Sequence, residues 1–261
     1  MKKVHALLAI ATAGIAVLSG CAGKNPASAN NSNQNYALVS SYEDASSQDI
    51  ATDVAGMSES FNFGSKTASL SKAAAGVTTS IQWQSWTYAG GWWYRSGSVS
   101  ATSVDGALDL NGSDSVQFTD VNNAAVQHPL LADVFGGEAR NHGSMHVAGK
   151  DGGYVDAQRD WLLSGALAKA GDTTLTLNGS LAQSFKAANA ARTASCSFVG
   201  SATATNIVYN KQGDGWSKPV SGSVNLTSPY KSITITFASG TAHIVVTAKD
   251  GTVTKDVTIT L

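Results

Sequence analysis

The 261-residue chain is poor in charge. Asp, Glu, Lys and Arg make up 13% of it, against about 25% in ordinary globular domains. With 17 basic and 18 acidic residues the net charge is −1, and no basic stripe exists to attract nucleic acid. Four prolines are too few for a proline-rich stalk. The apolar run near the N-terminus, Ala6 to Leu18, is about 13 residues long. That is short of the roughly 20 a transmembrane helix needs. GxSxG, CxxC, P-loop and GxGxxG patterns are all missing. No motif therefore points to nucleophilic, redox or nucleotide chemistry, and the chain reads as a non-enzyme without a cofactor.

What is present speaks first of location. Lys2 and Lys3 precede the apolar run, which ends in Leu18-Ser19-Gly20-Cys21. Positive start, apolar stretch and small residues are the order of an exported precursor. The cysteine directly after the small residues resembles the lipobox of bacterial lipoproteins. That resemblance implies cleavage before Cys21 and diacylation of its thiol, usually with acylation of the new amino group. Two or more acyl chains suffice for stable anchoring. Ala22, rather than Asp, follows the cysteine, which by the same resemblance implies an outer-membrane destination. Loss of residues 1–20 removes two lysines, so the charge moves from −1 to −3. Cys196 is then the only thiol left, so no internal disulfide forms. Its setting, Ser195-Cys196-Ser197-Phe198-Val199, reads as a strand with a small buried apolar residue.

Three regions follow the signal at 1–20. Residues 21–60 read as a tether, rich in Asn, Ser and Ala at its start. Within it, Tyr42, Ile50, Val54 and Met57 recur near helical spacing, so one short helix is expected over 41–59. Residues 61–261 read as a single β-rich domain. Ile233, Ile235 and Phe237 alternate with threonine, as do Val257, Ile259 and Leu261, the period of half-buried antiparallel strands. Asp105-Gly106, Asn111-Gly112, Asn178-Gly179, Ser239-Gly240 and Asp250-Gly251 read as hairpin turns. The segments 93–124, 161–191 and 216–248 look like internal repeats. Trp93-x-x-Ser96-Gly97 matches Trp161-x-x-Ser164-Gly165, and Leu108-x-Leu110-Asn111-Gly112-Ser113 matches Leu175-x-Leu177-Asn178-Gly179-Ser180. The expected fold is all-β: an antiparallel meander of duplicated hairpins in an extended or curled sheet, as a sandwich or part-closed barrel.

Chemistry-bearing residues are sparse. Trp83, Trp86, Trp92, Trp93 and Tyr94 form the densest aromatic cluster and are the candidate ligand-binding residues. On strands, Trp83 and Trp86 face opposite ways, as do Trp92 and Trp93. His142 and His146, with Glu138 and the earlier His128, have some zinc-ligand chemistry, but the surrounding glycines read as a polar surface loop. Residues 109–114 lack the ligand spacing of a calcium loop. His243 reads as an exposed strand residue without a partner. The leading expectation is a lipid-anchored structural or partner-binding scaffold of the cell envelope. The alternatives are a carrier of lipid or another apolar ligand, and a carbohydrate-binding module using exposed tryptophans. A curled sheet capped by one helix is how periplasmic lipoprotein carriers are built, an analogy of fold alone.

Overall fold

A computed structural model of the chain describes residues 43, 46–61, 72–74, 77–79, 82–103, 106–127, 131–150, 152–188, 195–228 and 230–261. Cys21, Tyr42, His128 and the stretch read as a tether before residue 43 lie outside them.

The expected helix is there. Residues 46–57 are α-helical and run on into a 3₁₀ turn, Ser58–Phe61. Two short strands, β1 (Lys72–Ala74) and β2 (Val77–Thr79), pair with each other. The rest is one 13-stranded antiparallel sheet. It contains β3 (Gln82–Trp83), β4 (Thr87–Ala89), β5 (Trp92–Ser103), β6 (Gly106–Thr119), β7 (Gly136–Gly149) and β8 (Tyr154–Leu167). It continues with β9 (Thr174–Ala188), β10 (Ser195–Gln212), β11 (Gly215–Trp216), β12 (Ser221–Thr227), β13 (Lys231–Ala238), β14 (Thr241–Ala248) and β15 (Val253–Thr260). From β5 to β10 and from β12 to β15 each strand pairs with the next in sequence, β10 also pairs with β12, and the sheet does not close into a barrel. The meander expectation therefore holds, as one sheet rather than a sandwich.

The helix explains why an unclosed sheet has a core. Ile50, Ala51, Val54 and Phe61 are fully buried. They join one cluster with Phe118, Trp161, Leu177, Tyr209, Ile235 and Ile244, from strands spread across the sheet. Even the polar Ser46 and Ser47 are buried, as expected of a helix enclosed on most sides rather than lying on a surface. Hydrogen bonds tie it to widely separated strands. Asn141 on β7 donates to Ser60 Oγ at 3.5 Å, Trp216 on β11 donates to the Phe61 carbonyl at 3.1 Å, and Lys255 on β15 donates to Ser47 Oγ at 3.2 Å. On β10 the Tyr209 hydroxyl donates to the Val54 carbonyl, and burial pushes its phenol well above the ordinary pKa. Tyr209→Phe is expected to lower stability by about 1–2 kcal/mol, because a buried carbonyl loses a donor. Urea unfolding with an unchanged midpoint would show that this bond contributes nothing.

Two of the five Gly-containing pairs read as turns are not turns. Ser239-Gly240 and Asp250-Gly251 do lie between β13, β14 and β15, with positive φ at Ser239, Gly240 and Gly251. Asn111-Gly112 and Asn178-Gly179 instead sit inside β6 and β9. A Cβ at Gly179 would lie 2.5 Å from the Leu162 carbonyl oxygen, so this glycine serves close strand approach. Asn178 Oδ1 accepts the Asn206 amide at 2.8 Å, where the β10 register shifts and Asn206 has φ +50°. The side chain thus satisfies a donor that a bulge removes from the ladder. The first two matched segments fall on the hairpins β5–β6 and β8–β9, and the third, 216–248, runs from β11 through β14. Gly97 pairs with Gly112, whereas its counterpart Gly165 pairs with Leu177. That register differs by two residues, a shift that keeps each side chain on its face.

Candidate functional site

The two faces of the long strands differ in kind. On the inner face, a guanidinium sits at each of two neighbouring rows. Arg95 is 5% exposed and binds Asp114 through Nε and Nη2 at 2.9 and 2.7 Å. Asn141 on the next strand donates to the same carboxylate at 2.9 Å. Trp83 and Trp86 both cover the Arg95 guanidinium, at 4.4 and 4.7 Å from their ring centroids. They therefore share one partner instead of facing opposite ways, because residues 84–86 between β3 and β4 are not strand. Trp93, also inward, packs on the core and donates to the Gln127 carbonyl at 2.9 Å.

The second guanidinium meets the helix. Arg159 on β8 reaches Asp53 at 3.1 Å and Asp49 at 3.5 Å. Glycines 112 and 143 precede it in its cross-strand row, and Gln183, whose Oε1 accepts from Ser46 at 3.4 Å, follows. Two buried carboxylates share this guanidinium. Burial is the largest influence and pushes Asp49 up to about 6 and Asp53 to about 7. Arg159 opposes that rise in both, while Asp49 adds to it in Asp53. These inner networks fasten the helix, and the helix fills the space a ligand would need.

The outer face is open and polar. Trp92 and Tyr94 point this way, so the aromatic cluster is divided by the sheet. The Arg140 guanidinium stacks over Trp92 at 4.7 Å and binds Glu138 at 2.8 Å. Tyr94 and Leu162, 45% and 46% exposed, lie in one cross-strand row with Ser115 and Arg140 between them. The next row is Ser96, Ser113, His142, Asp160 and Ala182. After it come Ser98, Asn111, Ser144, Gln158 and Ser184, and then Ser100, Asp109, His146, Asp156 and Lys186.

His142 and His146 therefore stand on strand β7, not on a loop. Each imidazole Nδ1 lies 2.6 Å from a carboxylate on β8, Asp160 for His142 and Asp156 for His146. Gln158 donates to the other Asp160 oxygen at 2.7 Å. His243, expected to be solitary, also has a partner: its Nε2 is 2.7 Å from Asp256 on β15. Only the four-residue spacing was legible beforehand, and the glycines around it, read as a loop, lie within the strand. The carboxylates come from the following strand, and nothing local in sequence marks them. A groove of about 490 Å³ opens along the Ser144 row, lined also by His146, Asp156 and Lys186. A second depression of about 320 Å³, beside Ser113 and His142, meets it at Asn111.

Ser113, His142 and Asp160 follow one another across three strands, in the order of nucleophile, base and orienting acid. Three features weigh against acyl transfer there. No hydrogen bond joins Ser113 to His142 among the described residues. The His142 and Asp160 side chains are 38% and 44% exposed, so the pair works in water rather than in a dry site. Their strands pair on both sides, which commits backbone N–H groups that an oxyanion would need. Nor, among the described residues, do three or more His, Cys, Asp or Glu gather to hold a metal ion. Cys196 lies on β10, as its sequence setting implies. Comparison with known proteins adds no relative: no family model, curated protein or solved structure matches this chain.

Proposed function

We propose that this chain is a lipid-anchored protein of the cell envelope, of the outer membrane by its Ala22, that works without catalysing a reaction. The β-sheet is a scaffold that holds a partner on its outer face. One observation carries this reading: the helix 46–57 and its 3₁₀ extension occupy the inner face with their own side chains. The described depressions open on the opposite, polar face. A carrier of apolar cargo needs a continuous apolar concavity, and here that volume holds Ile50, Val54, Met57 and Phe61.

Two measurements test the proposal. Cys21→Ser is expected to abolish incorporation of labelled palmitate and to move the protein from the membrane to the soluble envelope fraction. Unchanged membrane retention without label would defeat the anchor. Native mass spectrometry of the full lipidated chain, released from detergent, is expected to give the mass of protein plus its own acyl chains. Additional mass extractable by organic solvent would identify an apolar cargo and overturn the scaffold in favour of the carrier.

A further inference from the structure

We infer that the outer groove takes a neutral glycan, laid across strands β6 to β9 between two walls of His–Asp pairs. This rests on the reading of the outer face as the binding face and names its ligand class.

The polar floor of the groove is the row Asn111, Ser144, Gln158 and Ser184, and the exposed Val199 ends that row on β10. Hydroxyls and carboxamides both donate and accept. A sugar hydroxyl does the same, so each floor group has a partner in either sense. One wall, His146 with Asp156, lines the groove, and the other, His142 with Asp160, stands in the next row across from it. In each, the carboxylate takes the Nδ1 side of the ring. Where that nitrogen carries the proton, Nε2 is left as an acceptor turned away from the carboxylate. His142 and His146 are four residues apart on one strand, so the walls stand about 13 Å apart at the backbone. Side chains narrow that to a trench fit for a single chain of sugar rings rather than a protein domain.

Charge selects among polar ligands. Asp109, Asp156 and Asp160 stand in the wall rows against one lysine, Lys186. A phosphorylated or otherwise polyanionic polymer meets repulsion there, and an uncharged one does not. At the β10 end of the floor, the exposed Val199 offers an apolar surface inside the groove. That suits the C–H face of a sugar ring.

The test titrates the full lipidated chain, in detergent micelles, with cello-, chito- and malto-pentaose by isothermal calorimetry. Saturable binding of at least one of them is expected. Asn111→Ala, Gln158→Ala and His146→Ala should each weaken it about tenfold, the loss of one ligand hydrogen bond. Thr234→Ala, whose hydroxyl donates to Asn225 on the far half of the sheet, should not. All four positions face solvent, where substitutions leave stability nearly unchanged, and thermal melts check this. Three results would overturn the inference: no saturable binding of any of the three sugars, equal binding by the groove variants, or tighter binding of heparin that the same variants weaken. A bare native mass combined with absent sugar binding removes only the glycan. Apolar cargo in the native mass removes the scaffold reading itself.

Discussion

Arg159→Met is expected to destabilise the protein by about 3–5 kcal/mol, the usual effect of removing one partner from a buried charged cluster. The guanidinium is almost fully enclosed, and both carboxylates it holds belong to the helix. Without it, Asp53 remains in a low-dielectric site with no cation beside it, Asp49 keeps only the field of Lys255, and the helix loses its attachment to the middle of the sheet. A drop in the urea midpoint at unchanged slope would report this, and a midpoint equal to wild type would mean that the cluster contributes nothing. Asp53→Asn should behave differently. Its carboxyl is held up to about 7, chiefly by burial, so near neutral pH the native state already carries the uncharged form in about half of the molecules. The sign of the pH dependence follows from the same shift. Between about pH 4 and pH 7 the unfolded chain has released protons that the folded Asp49 and Asp53 still hold. This cluster therefore costs stability as pH rises through that window, costs nothing below it, and costs a constant amount above it. The wild-type minus Asp53→Asn difference in stability should accordingly fall from pH 4 to pH 7, and a flat difference would contradict the assignment.

Phe61→Ala is expected to cost about 3–5 kcal/mol, as truncation of a buried aromatic does. The ring is fully buried and lies over Gly165 on β8, where a Cβ would come within 2.7 Å of its Cε1. That approach gives a second, sharper expectation. Gly165→Ala in the wild type should destabilise by about 1–3 kcal/mol through overpacking. In the Phe61→Ala background the added methyl enters the vacated space, so the same change should be neutral or stabilising. A double-mutant cycle that is additive would show that ring and glycine are not in contact.

The strands were legible because their period is. Ile233, Ile235 and Phe237 are buried as the alternation requires, and the intervening threonines face out. The helix was legible from Ile50, Val54 and Met57, all buried. Its role was not, because nothing in a 16-residue amphipathic stretch tells whether it caps a sheet or fills one. The information lies in Arg159, Tyr209, Trp216 and Lys255, far along the chain. Asn-Gly misled for a related reason. The pair permits a tight turn, but Gly179 also permits two strands to approach, and only register distinguishes the uses. The outer groove was hidden more thoroughly. Its His–Asp pairs join β7 to β8, and a one-residue change of register would have sent the imidazoles to the opposite face. Trp83 and Trp86 illustrate the converse: local parity separated them, and a shared arginine brings them together.

The hydrogen bond from Lys255 to Ser47 spans 208 positions, so the helix's seat draws on both ends of the described chain. Almost every strand pairs with its immediate successor, so the meander can zip from short loops at small entropic cost. The helix comes first among the described elements, yet the last of their strands supplies one of its contacts. Until that strand emerges, Ile50, Val54 and Phe61 have only part of their seat, and the growing sheet has an uncovered apolar face. The helix's seat is therefore complete only once β15 is in place, and a chain released one strand short would carry both sticky surfaces at once, the condition that favours aggregation over completion.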